Sequence, residues 1–291
     1  MTENAARREH GKRISYYGFG RTALFASRYD QRFSYCLYVP ESYDEEGDAT
    51  YPLAAIVHGT NRTAQEYRDR FVDFAEREQC VIIAPLFPCG IDEPGELNNY
   101  KFIAYHGIRF DHVLLAMVDE ITGIYRLQAD RFLLHGFSGG GHFAHRFFYL
   151  HPRRLRGVSI GAPGMVTLLD ESHDWWVGVR DLEQRFGIAP DFPAMREVPV
   201  QMVIGGDDTE TWEITITPEH RLWMPGADLA GANRQDRMAA LRQSFERQGI
   251  AVRQDTVPGV AHSGYALLDP VKAFFSGVLR AASPGSAGAS P

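Results

Sequence analysis

Three observations in the sequence predict an α/β fold, a mainly parallel central sheet with helices on both faces. Apolar runs of strand length recur along the chain without the alternation of a half-exposed strand. Stretches with helical spacing of apolar residues lie between those runs, the pattern of strand, crossover and parallel strand. One run, Arg131-Phe132-Leu133-Leu134-His135, passes straight into Gly136-Phe137-Ser138-Gly139-Gly140, a serine bracketed by glycines at a strand-to-helix junction.

The elements follow in order. Ile14 to Phe19 and Arg32 to Pro40 read as an antiparallel edge pair, the second ended by its proline. Pro52 to His58 is the first continuous apolar run, and Thr63 to Gln79 the helix behind it. Val81 to Pro85 is the next strand. The helix Asp111 to Tyr125 buries a stripe of Val113, Leu114, Met117, Val118 and Ile121, with Asp111, Asp119 and Glu120 expected on its solvated face. After Arg131 to His135 come a buried helix (His142 to Leu150) and strands at Gly157 to Ile160 and Val198 to Ile204. The helix Arg237 to Gln248, the strand Ala251 to Val257 and the helix Pro270 to Ala281 complete the series.

Two connections are far longer than the rest. Gly161 to Pro199 and Thr209 to Asn233, around the sixth and seventh strands, leave the carboxyl ends where open α/β sheets hold ligands. They contain all four tryptophans, Trp175, Trp176, Trp212 and Trp223. A small cap with an aromatic inner face would explain that distribution, and so would an indole core that holds the excursions together. Residues 1–281 are expected to form a single domain, and the low-complexity tail 282–291 to be disordered.

Composition narrows the function. With 291 residues, 44% of them hydrophobic, the chain can bury one large core. A formal net charge of -7, spread without long blocks of one sign, argues against a nucleic-acid partner. No segment has membrane-spanning length, and Arg7, Arg8, Lys12 and Arg13 are not followed by the apolar stretch of a cleaved signal, so a cytoplasmic protein without membrane association is expected. Cys36, Cys80 and Cys89 are odd in number and lack metal-ligand spacing; they read as reduced thiols packed as small hydrophobes.

The chemistry centres on Ser138. Gly136 to Gly140 has the G-x-S-x-G form, in which a tight turn lifts the serine hydroxyl above the sheet and leaves no room for side chains two residues to either side. A serine hydroxyl needs a base within hydrogen-bond reach and a third group to fix the tautomer of that base. His262 follows the last strand and precedes the last helix, the place for the base. Asp207 and Asp208 close the strand Val198 to Ile204, and the spacing from Gly205 favours Asp208 with Asp207 as the alternate. The amides of Gly139, after the nucleophile, and Thr60, in the His58-Gly59-Thr60 turn, are candidate oxyanion donors. Trp175, Trp176, Trp212 and Phe87 are candidate substrate contacts. No lysine follows Gly140 as a Walker motif requires, and His142 and His145 lack a third ligand, so neither a nucleotide, a metal nor any cofactor is expected.

These residues, in this order, resemble the α/β-hydrolase superfamily over roughly Arg32 to Ala281. Within it, Arg32 to Pro40, the His58-Gly59 turn, and Tyr125 followed by Asp130 to Gly140 look like the polyhydroxyalkanoate depolymerase and feruloyl-esterase branch. The resemblance implies a Ser138, His262, Asp208 triad with Gly139 and Thr60 as oxyanion donors. Enzymes of that branch are often secreted and disulfide-bearing; this chain shows neither a signal nor paired cysteines, which turns the expectation toward a small soluble ester. A carboxylesterase-like serine hydrolase is therefore expected, with an amidase or peptidase on the same triad, or a non-catalytic ligand-binding protein of the same fold, as alternatives.

Overall fold

The computed structural model describes residues 12–281; the tail 282–291 and the first eleven residues lie outside them. The first half contains β1 (Gly20–Arg21), β2 (Phe25–Ala26), β3 (Ser34–Val39), β4 (Tyr51–Val57), α1 (Ala64–Arg70), α2 (Val72–Glu78) and β5 (Val81–Leu86). A two-stranded ribbon, β6 (Ala104–Tyr105) with β7 (Ile108–Arg109), precedes α3 (Phe110–Thr122), β8 (Leu127–Phe137) and α4 (Gly139–Leu150). The second half has β9 (Leu155–Gly161), α5 (Leu182–Phe186), α6 (Phe192–Arg196), β10 (Val200–Gly205), α7 (Arg234–Arg247), β11 (Val252–Val257) and α8 (Leu268–Ala281).

The main sheet runs β1-β3-β5-β4-β8-β9-β10-β11, with β2 also paired to β3. From β5 to β11 every neighbouring pair is parallel; β3 is antiparallel to β5, β1 and β2. The strand β4 pairs with β5 on one side and β8 on the other, so the direction of winding reverses there. At such a switch point two crossovers leave in opposite directions and open a crevice at the carboxyl ends. Register places Val57 beside Gly136, so the turn after β4 and the serine turn after β8 emerge side by side.

Three elements differ from the sequence expectation. Ile14 to Phe19 is not a strand: Tyr16–Gly18 forms a short 3-10 turn and the pairing with β3 begins at Gly20, where φ is positive at 58° and a glycine is favoured. The helix expected over Thr63 to Gln79 is two helices meeting at Phe71, whose buried ring packs against Phe74 and Phe275. Finally, β11 is not apolar on both faces. It is the sheet edge, and Arg253, Gln254 and Thr256 are exposed along it.

The helix α4 is buried throughout because the sheet lies under it and the excursion after β9 lies over it. The excursion is tied down by that helix: Arg146 donates to Thr167 Oγ1 at 2.9 Å and Met165 O at 3.3 Å, and Gly164 N and Met165 N donate to His142 Nε2 at 2.8 and 3.0 Å. Thr167 N likewise donates to His145 Nε2 at 3.1 Å, so both histidines serve as structural acceptors. Cys36 and Cys80 are buried thiols as expected, whereas Cys89 is exposed; all three are free. Asp111 departs from its expected solvated face. It is fully buried at the start of α3, where Arg109 Nε and Nη2 donate to its two oxygens at 2.9 and 2.6 Å and His151 Nε2 lies 2.7 Å away. Among the described residues no helix is long and apolar enough to cross a membrane.

Candidate active site

The strand β8 ends at Phe137, and Ser138 takes φ 54° and ψ -114° before α4 begins at Gly139. That backbone region is costly for a non-glycine residue, about 1–3 kcal/mol, and persists only where the surroundings enforce it. Here Ser138 N donates to Gly161 O at 2.8 Å and His142 N to Ser138 O at 2.9 Å, locking the turn from both sides. The flanking glycines are steric requirements: a Cβ on Gly136 would fall 2.2 Å from Gly140 O, and one on Gly140 would fall 2.4 Å from Val57 O.

His262 Nε2 lies 3.0 Å from Ser138 Oγ, and His262 Nδ1 lies 2.6 Å from Asp208 Oδ2. A carboxylate only accepts, so Nδ1 carries the proton and Nε2 is free to accept from the serine hydroxyl. The Phe137 ring packs on the imidazole with centroids 4.6 Å apart, holding its plane. Of the two aspartates, Asp208 is buried and reaches the histidine, while Asp207 is exposed and engages only through its backbone, to Val260 O and from Thr209 N. Asp208 and His262 follow strands β10 and β11; Gly205 and Val257 are paired, and the loop bearing His262 crosses directly over the end of β10. A Cβ on Gly205 would lie 2.2 Å from Val260 O, so that crossing needs glycine.

Thr60 stands opposite the serine turn, since a Cβ on Gly139 would come within 3.1 Å of Thr60 Oγ1. Its turn is fixed from behind. His58 Nδ1 donates to Gly59 O at 2.8 Å, His58 Nε2 accepts from Phe87 N at 3.0 Å, and Tyr100 Oη donates to His58 O at 3.1 Å. Arg62 Nη1 donates to Thr60 O at 2.5 Å. Lys101 is also close, its Cε 3.0 Å from where a Gly139 Cβ would stand. Burial, then the nearby Arg62 guanidinium, brings its ammonium down to about 8. Lys101 is not singled out by the sequence, because it comes from a long loop after β5 with no periodic pattern.

A cavity of about 260 Å³ opens at Ser138 and His262, walled by Thr60, Asn61, Thr63, Tyr67, Glu213, Ser263 and Tyr265 among others. Its walls are mainly polar. None of Trp175, Trp176, Trp212 and Phe87 lines it, which corrects the aromatic contacts expected from the sequence. Phe87 is buried among Phe33, Tyr100, Phe110 and Phe143, behind the His58 turn. Trp175 and Trp176 are buried within the excursions, where Trp176 Nε1 donates to Leu222 O at 2.9 Å and joins one excursion to the other. They wall a separate cavity of about 220 Å³ with Phe102 and Tyr105. Trp212 is 77% exposed. The indole pair is thus the internal core of the excursions, and the hydrophobic effect accounts for it without a ligand.

Asp111, His112 and His151 bring ligand-type atoms within 4.8 Å of one another on the far end of α4, but both Asp111 oxygens are engaged by Arg109. The buried histidines are held neutral. Burial takes His58 down to about 3 and His135 to about 4, and sets His142 and His145 well below the ordinary 6.5. An unfolded chain takes up these protons near 6.5 while the folded chain excludes them. Stability present above that pH is therefore lost as pH falls from about 6.5 toward 4, on the order of 1 kcal/mol per pH unit for each such group. Urea midpoints measured at pH 7.5 and 5.5 should show a marked drop at the lower pH, and equal midpoints would contradict the assignment.

No family model matches the chain. A stretch of 128 residues, 44% of the chain, is 26% identical to the esterase FrsA of Serratia proteamaculans (strain 568), and the match spans 29% of that protein's length. Among solved structures, poly(aspartic acid) hydrolase-1 from Sphingomonas sp. KT-1 superimposes with a TM-score of 0.69 at 22% identity, covering 87% of this chain and 97% of its own. LpqC, a poly(3-hydroxybutyrate) depolymerase from Bordetella parapertussis, gives a TM-score of 0.68 at 22% identity, over 92% and 93% of the two chains. With the sheet order and the switch point described above, these likenesses establish the α/β-hydrolase fold.

Proposed function

We propose that the chain is a cofactor-independent serine hydrolase that cleaves a small, polar carboxylic ester through an acyl-enzyme. The observation that carries this reading is the unbroken relay from Ser138 Oγ through His262 to Asp208 at the mouth of an open cavity. The fold shared with proteins named as esterase and depolymerase supports it.

In the proposed reaction the Ser138 oxygen attacks the ester carbonyl while its proton passes to His262 Nε2. Asp208 steadies the imidazolium through Nδ1. The carbonyl oxygen, now anionic, is received by the amides of Gly139 and Thr60. Gly139 opens α4, where the first N–H groups have no partner within the helix, and the carbonyls of Gly59 and Thr60 are already engaged by His58 and Arg62. Collapse breaks the ester C–O bond, and the imidazolium proton goes to the leaving alcohol. Water, deprotonated by His262, then attacks the acyl-serine; its collapse releases the carboxylic acid and returns the proton to Ser138. The polar walls, Thr63, Asn61 and Glu213 among them, suit a substrate with hydroxyl or amide groups better than a long alkyl chain.

Incubation with an organophosphonate probe followed by peptide mass spectrometry tests the reading. One equivalent should add to the peptide bearing Ser138, and a matched ester should turn over faster than the corresponding amide. Absence of the adduct would falsify the proposal.

A further inference from the structure

The reaction just described makes no use of Arg234, yet this side chain holds Asp208 from a second direction. It is the first residue of α7, and its side chain is 2% exposed against 1% for Asp208. Arg234 Nη1 donates to Asp208 Oδ1 at 3.3 Å, the oxygen that His262 leaves free, and Arg234 Nη2 donates to Glu213 Oε2 at 2.8 Å. Its Nε is buried without a hydrogen-bond partner, so the guanidinium gives up one donor to aim its two arms at two carboxylates. The surrounding turn is anchored. Asn233 Oδ1 accepts from Asp236 N at 2.9 Å, Gln235 Nε2 donates to Gly205 O at the end of β10, and Arg237 donates to Ile214 O at 3.0 Å, next to Glu213.

We propose that Arg234 is a positioning residue of the hydrolytic site, fixing the plane of the Asp208 carboxylate and through it the tilt of the His262 ring. The inference deepens the serine-hydrolase reading and rests on it. Rotation about the Cβ–Cγ bond of an aspartate is soft and roughly two-fold. One hydrogen bond, from His262, leaves that rotation available. A second donor on the other oxygen removes it, and Arg234 is rigid enough to do so because its backbone is capped and its side chain is buried. Lysine would offer a point charge in place of the fork and could satisfy only part of this geometry.

The test compares wild-type protein with R234M, R234K and E213Q, each measured as kcat per phosphonate-titrated serine, with KM on a neutral short ester and a thermal midpoint. Titration removes any misfolded fraction from the comparison. Misplacement of a catalytic group by about 1 Å can cost about 100-fold. R234M is therefore expected to lose roughly 30- to 100-fold in kcat with KM within about threefold, and R234K to recover part of it. E213Q should lose less than a third as much on a logarithmic scale, since the Asp208 contact survives. An R234M protein with a lowered midpoint but kcat per titrated serine within about threefold of wild type would reduce Arg234 to a structural ion pair and overturn the proposal. So would an E213Q variant that reproduces the whole R234M loss, which would place the effect in the pocket wall. Wild-type protein that fails to titrate removes the hydrolase reading itself, a result obtained before any Arg234 variant is made.

Discussion

Replacement of Ser138 by alanine should lower kcat on a p-nitrophenyl ester by about 10⁵-fold, with the thermal midpoint nearly unchanged. The two expectations have separate grounds. Alanine retains the Cβ and loses only the hydroxyl, so the positive-φ turn, its Gly161 and His142 hydrogen bonds and the interlocked Gly136 and Gly140 all remain. Without the oxygen there is no acyl-enzyme, and what survives is binding and whatever the oxyanion donors give to attack by water, about 10³-fold over the uncatalysed reaction. Initial rates on purified protein with a matched melting curve decide it. A variant holding more than about 1% of wild-type turnover would place the nucleophile elsewhere.

The paired substitutions Asp208→Asn and Asp207→Asn should differ by about 10⁴ in kcat. At position 208 the amide would face a donor on each side, Arg234 toward one atom and His262 toward the other. The oxygen satisfies Arg234, which turns the NH₂ group toward His262 Nδ1. The imidazole then has to carry its proton on Nε2, where it can no longer accept one from Ser138. Asp207 points into solvent and uses only its backbone locally, so asparagine there should leave turnover within about twofold of wild type, as is usual for exposed positions away from such features. Steady-state kinetics on the two proteins checks both halves, and an inactive Asp207→Asn variant with a normal Asp208→Asn variant would reverse the assignment.

The parts of the site carried by strand ends were legible in the sequence. Ser138 and Asp208 each follow an apolar run, His262 follows the half-exposed edge strand β11, and the serine announces itself through glycines that the backbone packing demands. The split between Asp207 and Asp208 was open because it depends on which residue of a tight turn faces inward, a matter of backbone path and not of residue type. The pocket walls were misread for a different reason. Tryptophans in long excursions signal that apolar area must be buried somewhere, but not whether a ligand or the excursion itself buries it, and in this chain Trp176 is spent on a contact with Leu222. Arg234 and Glu213 gave no signal, being charged residues in a polar stretch whose meaning comes only from their distance to Asp208. Asp111 misled in the same way: an acid at the start of an amphipathic helix reads as solvated unless Arg109 and His151 are known to converge on it.

The reversal of winding at β4 has one more consequence. The Thr60 turn, Ser138, Asp208 and His262 each follow a separate strand of one sheet, so the strand ends that carry them are spaced by multiples of the inter-strand distance of about 4.8 Å, and the loop to His262 closes the remaining gap to Ser138. The sheet works as a jig: hydrogen-bonded ladders set where each turn begins, and the crossing of the His262 loop over β10 does the rest. Drift in the length or sequence of 161–199 beyond Gly161 can accordingly leave the strand-end geometry as it is, since none of that segment lines the Ser138 cavity. The segment 209–233 is less free, because Glu213 within it is hydrogen-bonded to Arg234, which also donates to Asp208.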